Sequence, residues 1–153
     1  MSLMASRRTI QRRVEAHLLN PGMRALIRTG LAPRIFALVE TTGRRTGQRR
    51  TTPVTVARDG DVVWLVAEHG WRCGYVQNIS ACPQIRLKIG RTWHSGTATL
   101  LPGDDAWTRR KAMDELTGWM GRADGVFFRS MASTPMTVRV DLGQQAAATQ
   151  PEP

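Results

Sequence analysis

Residues 41–53 read TTGRRTGQRRTTP, and this stretch decides how the rest of the chain is interpreted. Four arginines and two glycines occupy the eight consecutive positions 43–50. Segments rich in β-forming residues flank them, RIFALVET at 34–41 and TTPVTVA at 51–57. The pattern predicts a basic loop between two strands. Such a loop can wrap an anion, because glycine lets backbone N–H groups converge while arginine and threonine side chains donate further hydrogen bonds.

An ordinary solvated basic hairpin explains the composition of this loop equally well. The loop is not a phosphate loop of the nucleotide-hydrolase kind, because the required glycine and lysine spacing is absent. The chain also has no dinucleotide-binding G-x-G-x-x-G motif.

Further short strands follow the basic loop. Asp59-Gly60 predicts a tight hairpin leading into the apolar run 61–67, and Gly90-Arg91 predicts a second turn. Additional strands are predicted where Ile85, Leu87 and Ile89 alternate with polar residues, and at 92–101 and 135–142. Within 92–101, Gly96 is a candidate bulge. About six mostly antiparallel strands predict a strongly curved sheet or barrel rather than a doubly wound parallel fold.

Helices are predicted before and between these strands. A short helix carries Met23, Leu26 and Ile27 and ends at Gly30, and another spans 74–81 before Pro83. A longer helix is expected to be capped by Asp104 and interrupted at Gly121. Its apolar face is predicted to comprise Trp107, Met113, Leu116 and Met120.

The length of 153 residues fits one domain, and no apolar run is long enough for a membrane helix. We expect 1–3 to be a remnant ahead of a natural start at Met4, 4–142 to form one domain, and 143–153 to be a flexible tail. Neither a signal peptide nor a disulfide framework is recognisable, which favours a cytoplasmic protein.

Positive charge is concentrated near the N-terminus. Residues 1–50 contain eleven arginines and two acids, a net +9 of the chain's +10. This asymmetry indicates an anionic partner, either a nucleic acid, an acidic membrane surface or a phosphorylated cofactor. Twenty arginines against two lysines also fit a GC-rich genome, such as an actinobacterial one.

An amphipathic helix is predicted over 9–20, with Ile10, Val14 and Leu18 on one face. This helix either covers the barrel or lies peripherally on the inner face of an anionic plasma membrane. Nucleic acid is not expected as a partner, because the basic loop lacks interleaved aromatic residues for base stacking.

No metal site is predicted, since His17, His69 and His94 have no neighbouring Cys or carboxylate at ligand spacing. Cys73 and Cys82 are interpreted as free thiols. No catalytic triad is recognisable.

The segment TTGRRTGQRRTTPV resembles the signature of the deazaflavin-dependent nitroreductase family, which belongs to a superfamily with an FMN-binding-like fold. LVAEHGW at 65–71 and YVQNISACP at 75–83 match further family segments in the same order. The resemblance covers about residues 35–102. It implies a split β-barrel, of mainly β α+β class, that binds coenzyme F420, with FMN as the alternative cofactor.

The resemblance also implies positions for the cofactor. The phosphate and acidic tail would lie on the basic loop, against Arg44, Arg45, Thr46 and Arg50, where the run of arginines agrees independently with an anionic ligand. Pro53, Val54 and Ala67 would line the ring system, with His69 and Gly70 on the loop near the ring and Tyr75 and Asn78 on the short helix. Independently of the resemblance, Trp71 is a candidate ring-stacking partner, because it lies beside this loop.

Tyr75 stands where the family usually has Trp and is a candidate proton donor, with solvent as the other. The C-terminal third has no Tyr; Phe127, Phe128 and Met131 instead predict an apolar acceptor pocket. We therefore expect an oxidoreductase that transfers hydride from reduced F420 to a quinone, an activated alkene or a nitro compound. A non-catalytic deazaflavin or flavin carrier remains the alternative, and a basic module that binds nucleic acid or a membrane surface is less favoured. The oligomeric state stays open.

Overall fold

Six antiparallel strands close into a barrel in the computed structural model, which describes residues 21–143. Around the barrel the strand order is β1-β2-β3-β6-β5-β4, and β4 pairs with β1 to complete it. The strands are β1 (Phe36–Thr42), β2 (Arg49–Asp59), β3 (Val62–Ala67), β4 (Gln84–Ile89), β5 (Thr92–Leu101) and β6 (Met136–Leu142). The helices are α1 (Pro21–Thr29), a 3-10 turn (Gly70–Arg72), α2 (Gly74–Ala81) and α3 (Ala106–Met131). The predicted barrel class is confirmed.

Two glycine turns set the register of neighbouring strands. Asp59 pairs with Val62, and Ile89 pairs with Thr92, so each hairpin has a two-residue turn. The first residue of each turn is a glycine at positive φ, 60° at Gly60 and 61° at Gly90. Glycine adopts this conformation without the steric cost that other residues incur. Both predicted hairpins are confirmed.

Gly96 is not at a bulge, contrary to the prediction. Its pairing with Ile85 of β4 and with Leu142 of β6 continues the register on both sides without an extra residue. A Cβ at this position would lie 2.9 Å from the backbone oxygen of Asp141. The glycine is needed because β6 approaches closely, a tertiary contact that the strand's own sequence does not reveal.

The barrel interior is filled by aliphatic side chains that alternate with outward polar ones. Val39, Val56, Leu65, Leu87 and Val138 are among those almost completely removed from solvent. Outside the barrel, Ile27 of α1 packs on Leu38. This helix ends at Gly30 as predicted.

The helix α3 is a helical hairpin rather than one straight helix. Gly118 has non-helical angles, φ 73° and ψ −150°, so the chain folds back there. Arg110 and Asp124 form an ion pair of 2.5 Å although they are 14 residues apart. In a straight helix that separation would be about 21 Å. The predicted interruption at Gly121 is therefore wrong by three residues.

Ion pairs that centre on the buried Arg110 and Asp114 stabilise the packing of the two halves of α3. Arg110 also binds Asp114 at 3.1 Å, and Arg129 reaches Asp114 at 3.2 Å. A Cβ at Gly125 would collide with the Asp114 carboxylate. Gly125 therefore allows the two halves to pack closely.

The cap and the apolar face of α3 also differ from the prediction. Asp105, not Asp104, caps the helix and accepts hydrogen bonds from the N–H groups of Trp107 and Thr108. Asp104 instead accepts from Arg109 and from Thr137 of β6.

Of the predicted apolar face only Met113 is fully buried. Leu116 is 59% exposed, because the fold-back at Gly118 turns a different side of the hairpin toward the barrel. Phe128, predicted for the acceptor pocket, is a core residue that packs edge-on against Trp107, with ring centroids 5.9 Å apart.

The predicted helix at 9–20, the remnant at 1–3 and the tail beyond Gly143 lie outside the described residues, so the domain boundaries stay predictions. Within 21–143, no helix has the length and apolar character needed to cross a membrane.

Candidate functional site

The basic loop at 43–48 is closed by its own hydrogen bonds. Thr42 and Arg49 form the last pair of the β1–β2 hairpin. The backbone N–H of Gly43 donates to the Gln48 carbonyl at 2.7 Å, and that of Gly47 donates to the Gly43 carbonyl at 2.8 Å. Gly47 has a φ of 69°, which favours glycine. The loop therefore has a defined shape.

Asn78 of α2 fastens this loop to the barrel. Its Oδ1 accepts from the backbone N–H and from Nη1 of Arg44, both at 3.2 Å. Its Nδ2 donates to the hydroxyl of Thr41 at 3.0 Å, and both Asn78 and Thr41 are buried. Asn78 thus positions Arg44, a role the sequence did not predict.

The loop and the start of α2 enclose a cavity of about 360 Å³. Five predicted cofactor residues and the candidate proton donor Tyr75 meet there, brought together from three separate elements. The lining comprises Gly43, Arg44, Arg45, Thr46, Arg50, Thr52, Gly74, Tyr75 and Asn78. Thr52 and Gly74 were not singled out by the sequence, although both adjoin its motifs. We call this space the arginine cavity.

Three arginines of this cavity lack an acidic partner. Among residues 21–143, no carboxylate lies within ion-pair distance of Arg44, Arg45 or Arg50. Arg49, at the edge of the same loop, is 3.5 Å from Glu40, which also holds Arg86. The cavity is therefore suited to an anionic ligand with several negative charges.

Tyr75 of α2 lines the arginine cavity and remains protonated. The ring is partly buried and packs against the barrel cluster and against a cluster around Ala67 and Val76. Desolvation raises the pKa of Tyr75 well above its ordinary value, and the nearby Cys73 and Glu68 raise it further. Its hydroxyl is a hydrogen-bond donor and a weak acid.

The predicted ring-side residues of the strands do not line the cavity. Val54 belongs to the barrel core, and Ala67 packs with Val76 and Met136. Pro53 is partly buried on β2, opposite Leu38. Trp71 is 52% exposed.

The segment after β3 is tied to the connection between α3 and β6. The His69 Nδ1 lies 3.1 Å from the Ser133 hydroxyl, and the Ser133 N–H donates to the Glu68 carbonyl at 3.1 Å. Gly70 has a φ of 52°, and a Cβ there would collide with the Thr134 carbonyl. These contacts bring the His69 segment beside the last turns of α3, where Phe127 and Met131 are partly buried.

Glu68 is the titratable residue that the sequence analysis passed over. Burial raises its pKa above the ordinary value, with smaller effects from neighbouring charges. The sequence did contain a signal for Glu68, because this charged residue directly follows the apolar run 61–67. Within the described part of the chain, no group of three His, Cys, Asp or Glu residues is arranged to hold a metal ion.

Comparison with known proteins adds the family context. A family model described as F420H(2)-dependent quinone reductase matches residues 22–143. An F420H(2)-dependent quinone reductase of Mycobacterium tuberculosis is 41% identical over 56 residues, which cover 35% of this chain and 38% of the relative. The matched part of the chain thus spans less than half the length of that curated relative.

Solved structures share the fold. An F420-H2 dependent reductase has a TM-score of 0.51 at 19% identity and covers 72% of this chain and 95% of its own. A heme storage protein from Vibrio cholerae has a TM-score of 0.51 at 12% identity, with coverage of 72% and 83%. At these identities the likeness concerns the barrel alone.

Proposed function

The chain belongs to the F420H(2)-dependent quinone reductase family, and from this premise we propose that it binds coenzyme F420 in the arginine cavity and reduces a quinone with it. The observation that carries the proposal is that Arg44, Arg45 and Arg50 line one cavity and have no acidic partner among residues 21–143. Activated alkenes and nitro compounds are the other proposed acceptor classes.

The donor set fits the proposed cofactor. F420 carries a phosphodiester and an oligoglutamate tail, and arginines bind phosphate and carboxylate oxygens through paired N–H donors. Arg44, Arg45, Arg50 and Thr46 would hold this anionic part. When bound, the deazaflavin supplies hydride transfer, so no protein nucleophile is required.

The remaining residues position the cofactor and shape its surroundings. Asn78 holds Arg44 in place, and the Tyr75 hydroxyl offers a neutral hydrogen-bond donor at the cavity wall. Pro53, His69, Gly70 and Trp71 stay proposed for the ring side. Val54 and Ala67 would act from within the packed interior, and Phe127 and Met131 would form an apolar wall for the acceptor.

The proposal also covers the cellular location of the enzyme and the surfaces that it contacts. We expect a cytoplasmic enzyme that needs no nucleic acid. Contact with an anionic membrane surface would involve the segment 9–20, and this would suit a lipid-soluble quinone.

The first experiment compares F420 and FMN binding through quenching of tryptophan fluorescence at two salt concentrations. We expect F420 to bind more tightly than FMN and to weaken with salt, since the contacts are ionic. Arg44→Ala and Arg45→Ala should each lower the affinity by about tenfold or more, the equivalent of one charge-assisted hydrogen bond.

Arg49→Ala is the matched control. Arg49 adjoins the same loop but is paired with Glu40 and does not line the arginine cavity, so its loss should change the affinity little. Equal losses in all three variants would mean that only general charge matters. Turnover of menadione with reduced F420 then separates a reductase from a carrier that binds without catalysis.

A further inference from the structure

The second half of α3, residues 119–131, has one side packed inward and one side exposed. Gly121, Gly125 and Phe128 are buried and turn toward the first half of the hairpin and the barrel. The exposed residues recur three or four positions apart, so they form a single stripe about 16 Å long on the opposite side of the helix. We call it the tryptophan stripe, and it comprises Trp119, Arg122, Ala123, Val126, Arg129 and Ser130.

Large apolar side chains of this stripe face solvent. Trp119 is 77% exposed, more than any other large apolar side chain described, and Val126 is 66% exposed. Leu116 is 59% exposed and lies at the same end of the hairpin as Trp119, just before the fold-back at Gly118. Apolar surface in water is unfavourable, so neighbouring exposed apolar side chains on one helix face indicate a surface that binds a partner.

The charged residues of the stripe are all basic. Arg122 is exposed, and no carboxylate among residues 21–143 lies within ion-pair distance of it. The Arg129 side chain is half exposed, although one of its nitrogens binds Asp114. The single exposed acid of α3, Glu115, lies on the first half of the hairpin. An anionic surface therefore complements the stripe, and the net charge of +10 on the chain attracts the protein to such a surface.

The combination of apolar and basic residues favours a lipid bilayer over a second copy of the chain. A two-fold dimer through this face would bring Arg122 and Arg129 close to the same residues of the other protomer, and the stripe has no acid to offset their repulsion. In an anionic bilayer, by contrast, lipid phosphates bind guanidinium groups. A tryptophan ring is apolar with one N–H donor, which suits the boundary between lipid head groups and acyl chains.

We propose that the tryptophan stripe docks the protein on an anionic lipid bilayer, with Trp119 and Val126 in the boundary layer and Arg122 on lipid phosphates. The inference adds a surface of the described fold to the membrane contact proposed above for segment 9–20. It rests on the proposed function only in its consequence, which is that docking brings the enzyme to a lipid-soluble quinone. The docking itself does not require the cofactor.

A first test measures cosedimentation of the full chain with vesicles of equal parts phosphatidylcholine and phosphatidylglycerol. We expect the wild type to bind these vesicles, and to bind less at high salt or when phosphatidylglycerol is left out. Trp119→Gln should lower the partition coefficient by about tenfold or more, because the buried apolar area of the ring is lost. Arg122→Gln should lower it by about fivefold, the effect of one basic residue at an anionic surface.

Trp93→Gln and Arg91→Gln are the matched controls. Both residues are exposed and belong to the β4–β5 hairpin rather than to α3, so these variants should bind vesicles as the wild type does. Equal losses in Arg91→Gln and Arg122→Gln would mean that overall charge alone attracts the protein, and would overturn the proposal. Unchanged binding by Trp119→Gln would also overturn it, because another part of the chain would then make the contact.

A second test locates the contact through quenching of tryptophan fluorescence by brominated lipids. Trp119→Phe keeps an apolar ring, so it should still bind vesicles but lose most of the quenching, whereas Trp93→Phe should keep it. Quenching that persists in Trp119→Phe would place a different tryptophan in the bilayer and overturn the proposal. A wild-type dimer in sedimentation velocity that Trp119→Gln converts to a monomer would assign the stripe to a second copy instead.

F420 binding without vesicles separates this inference from the proposed function. Trp119 does not line the arginine cavity, so Trp119→Gln should bind F420 as tightly as the wild type. A lower affinity in that variant would show a disturbed fold rather than a lost membrane contact, and would overturn the interpretation of its weaker vesicle binding. A wild type that docks on vesicles but binds no F420 would refute the proposed function alone.

Discussion

Asn78 has two separable tasks, and a double-mutant cycle with Thr41 distinguishes them. Asn78→Leu removes a hydrogen bond to the buried Thr41 hydroxyl and two hydrogen bonds to Arg44. Water can replace the hydrogen bonds to the exposed Arg44. The Thr41 hydroxyl, in a residue only 1% exposed, loses its hydrogen-bond partner. An unsatisfied buried group costs about 1–3 kcal/mol. At about 2–4 °C per kcal/mol, the melting temperature should fall by roughly 4–8 °C for a central loss of about 2 kcal/mol.

Adding Thr41→Val should reduce this penalty, because removing both partners of a buried hydrogen bond leaves no polar group unsatisfied. The four proteins of the cycle can be compared by urea unfolding. The double variant should lose less free energy of unfolding than the two single variants lose in sum, by about 1 kcal/mol or more. Additive losses would refute the assigned hydrogen bond.

F420 affinity should respond differently in the same cycle. Asn78→Leu frees the Arg44 side chain, and ordering it again on binding costs about 0.5–1.5 kcal/mol, or roughly a 2- to 12-fold weaker Kd. Thr41→Val should not restore this affinity, since it does nothing to hold Arg44. Recovery of both stability and affinity in the double variant would mean that Asn78 acts on the cofactor only through the packing around Thr41.

Three further predictions concern stability. Asp124→Asn should destabilise the fold by about 1.5–3 kcal/mol in urea unfolding, because it removes one of the two carboxylates that bind the buried Arg110. Asp141→Asn, in an exposed pair, should change the stability by no more than about 1 kcal/mol. Gly47→Ala should lower the free energy of unfolding by about 1–2 kcal/mol, because of the positive φ alone. Gly70→Ala should lower it more, as measured by thermal unfolding, because the new Cβ also meets the Thr134 carbonyl. Equal losses of stability in the two variants would argue against that contact. Glu68→Gln should be more stable than the wild type at neutral pH and equally stable below about pH 4. The reason is that a carboxyl group whose pKa is raised in the folded state destabilises the protein as pH rises above the pKa of the unfolded state. A difference in stability that persists in acid would contradict this assignment.

Local sequence determined the elements whose cause lies within a few residues. The turns at Gly60 and Gly90 follow from glycine at positive φ, and α2 and β5 have the predicted bounds 74–81 and 92–101. The basic loop was recognisable because its arginines and glycines are consecutive. Its meeting with Tyr75 and Asn78 in one cavity was expected only from the family resemblance, since nothing in either segment specifies the other.

The tertiary structure decided what depends on contacts between distant residues. The ion pairs of Arg110 with Asp124 and of Asp114 with Arg129 exist only because α3 folds back at Gly118, and that fold-back moves Phe128 into the core. The hydrogen bonds of Asn78 to Arg44 likewise need two segments that are 34 residues apart in sequence. The raised pKa of Glu68 also depends on burial in the folded chain. The physical reason is the distance along the sequence over which each effect acts. Turn geometry and side-chain periodicity depend on neighbouring residues, whereas burial, ion pairing and pKa depend on the residues that the fold brings close in space.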